Sequence, residues 1–253
     1  MLETIKINKI DEKIAEIWLN RPQVLNAVNV QLAHDFVQAL EMVISDTNLR
    51  VVLIRGEGTS FCAGADLKEM SVGIPRNIHF EKVQNLQSIT KKMVSSNKIF
   101  ISVVHGYAIG IGVEIILATD LVICDENSIF RFPEVEIDAT VTGGGHKLLL
   151  SRVGMLKAKE LIFLGIPLSG KQAEKVGLVN KAVLKDVFNE VVLDIAKQLK
   201  EKPVQGISAA KESLQFAENS TLASVIDHEV ISALTSAEKG QRTSIVKEKM
   251  EKA

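Results

Sequence analysis

The chain has 253 residues, of which 46% are hydrophobic and 24% are charged, as in an ordinary globular protein. Its 30 basic and 31 acidic residues leave a formal net charge of −1. This balance argues against nucleic acid or a membrane surface as the main partner, because both attract an excess of Lys and Arg.

The first two thirds of the chain predict strands that alternate with helices. An alternating pattern predicts a hairpin over residues 4–8 and 14–19, and a helical repeat begins at Asn29. A long amphipathic helix is predicted over residues 77–95. Short continuous apolar runs are typical of strands buried on both faces, so the pattern predicts an α/β fold with a parallel sheet. Such strands are predicted over residues 50–55, 99–104, 120–124 and 128–132.

Helical patterns dominate from Gly143 onward, with one short strand predicted over residues 178–183. Pro203 suits the first turn of a helix, where its missing N–H costs nothing. A helical tail after an α/β body either serves assembly or only covers its own core, and the pattern favours neither. The helices are predicted over residues 147–151, 157–163, 169–176, 186–200, 203–216 and 221–238.

Two further patterns bear on the cellular compartment. Cys62 and Cys124 form no Cys-x-x-Cys pair, which argues against a structural disulfide or a cysteine zinc site. The N-terminus has no signal-peptide pattern, and the apolar runs are too short to span a bilayer. We therefore expect a cytoplasmic protein without a metal site.

Two stretches, residues 61–67 and 106–114, have the form of an apolar strand, a turn of small residues and the start of a helix. If their strands are neighbours in one sheet, one N–H group from each turn can converge on a single oxygen, as in an oxyanion hole. The alternative is that the small residues only let helices approach strands closely. Gly110 and Gly112 do not make a dinucleotide fingerprint, because its third glycine is missing.

Two glutamates are candidates for acid–base chemistry. Glu114 stands at the start of an apolar helix, and Glu134 follows an aromatic segment. Apolar surroundings raise the pKa of a carboxyl group toward neutrality. The alternatives are a carboxylate favoured by the helix dipole for Glu114 and an exposed loop acid for Glu134. Cys62 is expected to be a spectator, and His146 is a weaker candidate.

The sequence resembles the crotonase (enoyl-CoA hydratase/isomerase) superfamily over nearly its whole length. The resemblance rests on LNRP at 19–22, FCAGADLKEM at 61–70, GYAIGIGVE at 106–114, FPE at 132–134, RVG at 152–154 and AEKVGLVN at 173–180.

The resemblance implies a spiral of ββα units over residues 1–195 and a helical region over 196–253 that forms a homotrimer or a dimer of trimers. It implies an acyl-CoA thioester as substrate and no further cofactor. The thioester oxygen would accept hydrogen bonds from the main-chain N–H groups of Ala65 and Ile111. Contacts with CoA or substrate would come from Gln23, Val24, Ala27, Ala63, Asp66, Leu67, Lys68 and Gly110.

Hydratases of this family use two glutamates, which correspond to Glu114 and Glu134. The resemblance therefore implies addition of water across the α,β double bond of an enoyl-CoA, or the reverse. Isomerases of the family need only the second glutamate. Isomerisation, decarboxylation, thioester hydrolysis and CoA binding without catalysis are the alternatives.

The chain departs from the family pattern at two places. Ile111 replaces the glycine of the second oxyanion position, so its side chain either turns away from the thioester or narrows the acyl pocket. The segment after Glu134 carries Glu136 and Asp138, which add two carboxylates near the acyl end.

Overall fold

The computed structural model describes residues 2–238 and 242–251. The chain divides into two compact units, Met1–Lys200 and Glu201–Ala253. The strands are β1 (Ile5–Lys9), β2 (Ile14–Leu19), β3 (Val51–Gly56), β4 (Ile99–Val104), β5 (Tyr107–Ile109), β6 (Leu121–Asp125), β7 (Ile129–Arg131), β8 (Leu168–Ser169) and β9 (Lys181–Val183). The helices are α1 (Val30–Ser45), α2 (Leu67–Val72), α3 (Arg76–Ser95), α4 (Ile111–Leu117), α5 (Gly145–Leu164), α6 (Gly170–Lys175), α7 (Phe188–Lys200), α8 (Val204–Ala217), α9 (Leu222–Glu238) and α10 (Arg242–Glu251).

The main sheet has six strands in the order β1-β2-β3-β4-β6-β9. Only the β1–β2 hairpin is antiparallel, and each other neighbouring pair of this sheet is parallel. The prediction of an α/β fold with a parallel sheet is therefore confirmed.

Both faces of this sheet are covered, which explains the continuous apolar runs. Val52 and Ile54 of β3 belong to a large core that also contains apolar residues of α1, α3 and α4. Val51 and Leu53 face the opposite side and join a smaller core with residues of α7. Successive side chains of a strand point to opposite faces, so every residue of β3 is buried.

A second sheet of three strands, β5-β7-β8, was not predicted as a separate layer. β5 lies within the stretch that reads as a glycine turn, and it pairs in parallel with β7. Strands of two or three residues are too short for an alternating pattern to appear in the sequence.

The two helices predicted over residues 147–151 and 157–163 correspond to two helical segments, which together make up α5. Its axis is kinked at Gly154, whose backbone is non-helical with φ 76° and ψ 164°. Only glycine adopts this conformation without strain, and the kink explains why the helical repeat breaks in the sequence.

The second unit contains helices α8, α9 and α10. α9 exposes an apolar face, with Leu222, Ile226, Val230 and Leu234 at intervals of four residues and each more than half exposed. The boundary predicted between residues 195 and 196 falls within α7, and the assembly role of the C-terminal helices remains a prediction. Over the described residues, no helix combines the length and the apolar character that crossing a membrane requires.

Candidate active site

The two small-residue turns lie side by side. The N–H of Cys62 donates to the carbonyl of Tyr107 at 2.8 Å, and the N–H of Ile109 donates to the carbonyl of Cys62 at 2.9 Å. These bonds pair Cys62 with Ala108 in parallel. Ala65 and Ile111 each stand three residues beyond this pair, so the turns bring both residues to the same edge.

The main-chain N–H groups of these two residues are available to a ligand. Val28 forms hydrogen bonds with Gly64 and Asp66, on either side of Ala65, and leaves the N–H of Ala65 unused. Ile111 is the first residue of α4, where N–H groups have no partner within the helix. In the part of the chain that the structure describes, neither N–H donates a hydrogen bond. Two donors held in place before charge develops are what an oxyanion hole requires.

The side chain of Ile111 packs against the main hydrophobic core while remaining partly exposed. Its backbone is helical, and it is not among the non-glycine residues with positive φ. This contact with the core is compatible with a side chain that turns away from the thioester, which is one of the two alternatives for this residue. The N–H stays available without backbone strain.

Glycines allow the close approaches within the turns. A Cβ on Gly64 would lie 2.9 Å from the carbonyl oxygen of Ile109, and one on Gly112 would lie 2.5 Å from that of Cys62. The small residues thus permit close packing, as the alternative interpretation holds. Gly110 has φ 51°, and a Cβ there would lie 2.9 Å from Oε1 of Glu134, so a larger residue at this position would press against a candidate catalytic group.

Glu134 lies at the start of a 3-10 turn after β7 and is only 8% exposed. Both of its carboxyl oxygens are buried and have no hydrogen-bond partner among the described residues. Burial raises the pKa of Glu134 to about 7, and the negative charge of Glu114 raises it as well. Its own main-chain N–H, which does not reach hydrogen-bonding geometry, opposes this shift. An unpartnered carboxyl group with a pKa near neutrality can gain or lose a proton at physiological pH.

Glu114 lies in the first turn of α4, is 4% exposed and is surrounded by apolar residues of its own helix. Its Oε1 accepts a hydrogen bond from the N–H of Thr142 at 2.8 Å, and its Oε2 accepts one from the Thr142 hydroxyl at 2.7 Å. Burial raises the pKa of Glu114, while the two hydrogen bonds and the nearby His146 oppose the rise. The two glutamates therefore form a pair in unequal surroundings.

Thr142 could not be identified from the sequence. It stands 28 residues from Glu114 and precedes three consecutive glycines, a stretch without periodicity. The only signal is its position directly before that glycine run, where a tight turn can bring a side chain back toward α4.

The segment predicted to contact CoA runs beside the first turn. The N–H of Ala63 donates to the carbonyl of Leu25 at 2.9 Å, which holds residues 22–28 against the turn. Gln23, Leu67 and Lys68 are exposed, Val24 and Ala63 are half-buried, and Ala27 is buried.

Asp66 has a structural role. Its carboxylate accepts hydrogen bonds from the N–H groups of Lys68 and Glu69 at the start of α2 and forms an ion pair with Arg21 at 2.9 Å. Burial alone would raise the pKa of Asp66, but Arg21 and the two N–H groups outweigh it and lower the pKa. Asp66 therefore fixes the start of α2 directly after Ala65.

Cys62 is a buried thiol that donates to the carbonyl of Asn26 at 3.2 Å. Burial raises its pKa to about 12, so the reactive thiolate is not formed near neutral pH. This supports the prediction of a spectator. Within the described residues, no three His, Cys, Asp or Glu side chains come together as metal ligands would.

Comparison with known proteins places these features in context. Residues 9–251 match the family model described as enoyl-CoA hydratase/isomerase. A probable mitochondrial enoyl-CoA hydratase 2 of Arabidopsis thaliana is 34% identical to this chain, and the alignment covers 90% of this chain and 76% of that relative. The 2,3-dehydroadipyl-CoA hydratase of Escherichia coli K12 is 30% identical to this chain, and the alignment covers 83% of this chain and 82% of that relative. The crystal structure of an enoyl-CoA hydratase from Bacillus anthracis is 25% identical, with a TM-score of 0.93, and the match covers 99% of this chain and 97% of that one.

Proposed function

The chain belongs to the enoyl-CoA hydratase/isomerase family, and on that premise we propose that it adds water across the α,β double bond of an enoyl-CoA thioester. The observation that carries the proposal is the pair of buried carboxyl groups, Glu114 and Glu134, close enough for the charge of one to raise the pKa of the other. Relatives at 30–34% identity that are named as hydratases support the same reaction.

The thioester oxygen is bound by the N–H groups of Ala65 and Ile111. When water attacks Cβ, the electrons of the double bond move onto the thioester and leave a negative charge on this oxygen. Both donors are in place before the charge forms, and the loss of one such donor costs roughly 10²–10³ in rate. Two observations support this role. Neither N–H group donates a hydrogen bond within the described residues, and Ala65 and Ile111 each stand three residues beyond the paired residues Cys62 and Ala108.

The unequal surroundings of the two glutamates suggest that one acts as the base and the other as the acid. Thr142 donates two hydrogen bonds to Glu114, which favours its ionised form, so Glu114 takes a proton from the attacking water. Glu134 has no donor and a pKa of about 7, so it carries the proton that goes to Cα when the enolate collapses. Glu114 ends protonated and Glu134 ionised, and transfer of one proton between them restores the starting state. The same steps in reverse remove water.

The CoA part of the substrate lies along the segment before α1 and the start of α2. The contacts that we propose come from Gln23, Val24, Ala27, Ala63, Asp66, Leu67, Lys68 and Gly110. The packing of residues 22–28 against the first turn supports this placement, since it brings these residues to the edge where Ala65 lies. The enzyme needs no cofactor beyond the CoA of its substrate.

Assembly and compartment complete the proposal. The exposed apolar face of α9 supports a homotrimer or a dimer of trimers, because a face of this kind is normally buried against a partner. Two free, buried cysteines support a reducing compartment such as the cytoplasm.

The proposal is tested by following the enoyl absorbance of crotonyl-CoA and of longer enoyl-CoAs. We expect the protein to consume crotonyl-CoA, and we expect Glu114→Gln and Glu134→Gln each to lower kcat by roughly 10²–10⁴. Glu190→Gln is the control, because Glu190 is an exposed glutamate of α7 outside the proposed site. Full loss of turnover in Glu134→Gln with normal turnover in Glu114→Gln would favour isomerisation instead, and no consumption of any enoyl-CoA would refute hydration.

A further inference from the structure

Thr142 contacts Glu114 through two separate donors. Its main-chain N–H binds Oε1 and its hydroxyl binds Oε2, at 2.8 and 2.7 Å. One hydrogen bond leaves a carboxylate free to rotate about its last torsion, whereas two bonds to different oxygens fix its plane. Because both donors come from one residue, that plane depends on where the backbone holds Thr142.

The backbone around Thr142 is a tight turn at the start of α5. The N–H of Gly145 donates to the carbonyl of Thr142 at 2.8 Å, and Gly143 and Gly144 both have positive φ. A Cβ on Gly143 would lie 3.1 Å from Oγ1 of Thr90 and 3.4 Å from Oε2 of Glu114. The turn therefore lies directly against the Glu114 carboxylate, and Val141, on its other side, is buried.

We infer that Thr142 is a positioning residue of the hydration reaction, whose hydroxyl holds the Glu114 carboxylate in the orientation and the ionised state needed to take a proton from water. The inference rests on the proposed function. It goes beyond it by assigning a role to a residue that need not touch the substrate.

The titratable groups around Glu114 determine how strongly the Thr142 hydroxyl must stabilise the ionised carboxylate. Glu134 faces it from the turn after β7, Cys62 from the first small-residue turn and His146 from the start of α5. Burial of Glu114 opposes its ionisation, and a negative charge on Glu134 would oppose it further. The two hydrogen bonds from Thr142 act against the effect of burial and stabilise the ionised carboxylate.

Three substitutions separate the hydroxyl from the rest of the residue. Thr142→Val keeps the shape and the main-chain N–H but removes the hydroxyl bond. Thr142→Ala also removes the hydroxyl but does not add the second methyl group that valine has. A defect that appears in Thr142→Val and not in Thr142→Ala is therefore caused by the packing of the valine. Thr142→Ser keeps the hydroxyl, and Thr140→Val, at an exposed threonine of the same segment, is the control.

The first readout does not depend on activity. The protonation of Glu114 is followed by infrared difference spectroscopy against pH, with Glu114→Gln as the subtraction that identifies its carboxyl band. Hydrogen bonds to charged groups are strong enough that we expect the pKa of Glu114 to rise by on the order of 1 unit in Thr142→Val and Thr142→Ala. Thr142→Ser and Thr140→Val are expected to titrate like the unaltered protein.

The second readout is the pH profile of crotonyl-CoA hydration. We expect the acidic limb of kcat/KM to move to higher pH in Thr142→Val, with kcat lowered roughly tenfold, KM within about twofold, and activity restored in Thr142→Ser. An unchanged Glu114 titration in both Thr142→Val and Thr142→Ala would overturn the inference, and so would a serine variant as impaired as the valine variant. If the unaltered protein does not hydrate enoyl-CoA, the proposed function fails, while the infrared titration still decides whether Thr142 controls the ionisation of Glu114.

Discussion

At the scale of single residues, the site depends on the contrast between two buried carboxyl groups. Glu114 accepts two hydrogen bonds from Thr142, whereas neither oxygen of Glu134 has a partner in the described part of the chain. A buried carboxyl group without donors is costly to ionise, and this cost raises the pKa of Glu134.

This contrast predicts the pH dependence of stability. The pKa of Glu134 is about 7 in the folded chain and 4.5 in the unfolded chain, so the native state binds the proton more tightly. Folding stability should therefore fall as the pH rises from about 4.5 through about 7, by on the order of 3 kcal/mol from this group. Glu134→Gln removes the contribution of this group to the pH dependence and should be more stable than the unaltered protein at pH 8, as measured by urea unfolding. Equal stabilities at pH 8 would contradict the raised pKa.

The same pKa predicts the basic limb of the activity profile. If Glu134 supplies the proton to Cα, kcat/KM for hydration should fall above a pH of about 7, as the carboxyl group loses its proton. The check is the rate of crotonyl-CoA hydration measured from about pH 5 to about pH 9, a range that extends roughly two pH units to each side of that pKa. A rate that stays constant across this range would exclude Glu134 as the acid.

Gly110 offers a second test at this scale. Gly110→Ala would place a Cβ 2.9 Å from Oε1 of Glu134, at a position with φ 51°. We expect a stability loss of about 1–3 kcal/mol from the backbone and a fall in kcat of about 100-fold from displacement of the carboxylate. Gly154→Ala is the matched control, because Gly154 has φ 76° and nothing within 4 Å of its Cβ position. Equal losses of activity in the two variants would show that Gly110 has no specific relation to Glu134.

At the scale of elements, α2 connects the turn that contains Ala65, the first proposed oxyanion donor, to the rest of the fold. Glu69 of α2 accepts a hydrogen bond from the N–H of Val30 at the start of α1, and it forms an ion pair with Lys82 of α3 at 2.7 Å. Lys82 is only 5% exposed. The Glu69 side chain therefore links α1, α2 and α3 within a few residues of Ala65.

Removal of the lysine should have a large effect. Lys82→Met leaves the charge of Glu69 in a mostly buried position without its counter-charge, which we expect to cost about 3 kcal/mol. The double variant Glu69→Gln/Lys82→Met should be less destabilised than Lys82→Met alone. Lys157→Met, which breaks the more exposed pair with Glu160 on α5, should cost less than about 1 kcal/mol. Equal unfolding free energies for Lys82→Met and Lys157→Met would show that the buried pair does not anchor α2.

At the scale of the whole molecule, the C-terminal helices present an apolar face that the chain itself leaves exposed. Leu222, Ile226, Val230 and Leu234 of α9 are 76%, 53%, 57% and 61% exposed. A stripe of this kind on a helix is typical of a surface that another chain covers.

Light scattering combined with size exclusion tests the assembly. We expect a mass of about three or six times the 27.7 kDa chain. Ile226→Asp/Val230→Asp should lower that mass, because charges are costly in a buried interface. Thr235→Asp, at an exposed residue away from the stripe, should not. A monomeric unaltered protein would contradict the assembly proposal.

Much of the fold could be predicted from the sequence, because long apolar runs and helical repeats leave strong patterns. The parallel sheet and the family are confirmed. The strand predicted over residues 128–132 corresponds to β7, but its place in a separate β5-β7-β8 sheet was not predicted, since β5 and β8 have only three and two residues. The two segments of α5 were predicted as separate helices, because Gly154 interrupts the helical repeat between them.

The site was predicted unevenly for a related reason. The apolar surroundings of Glu114 and Glu134 in the sequence indicated acid–base chemistry, and the resemblance to the family implied that the two act as a pair. Thr142 acts through a turn that only the folded chain brings to Glu114. The direction of the Ile111 side chain likewise depends on packing against the core, which no local pattern records.

The most direct test of hydration by the Glu114–Glu134 pair is the fate of crotonyl-CoA in heavy water enriched in ¹⁸O, followed by mass spectrometry and NMR. We expect the unaltered protein to form a 3-hydroxyacyl-CoA product with ¹⁸O on Cβ and one deuterium on Cα. Glu114→Gln and Glu134→Gln should form this product only at greatly reduced rates. Enoyl-CoA recovered with deuterium but no added oxygen, release of free CoA, or full activity in either glutamine variant would contradict hydration by this pair.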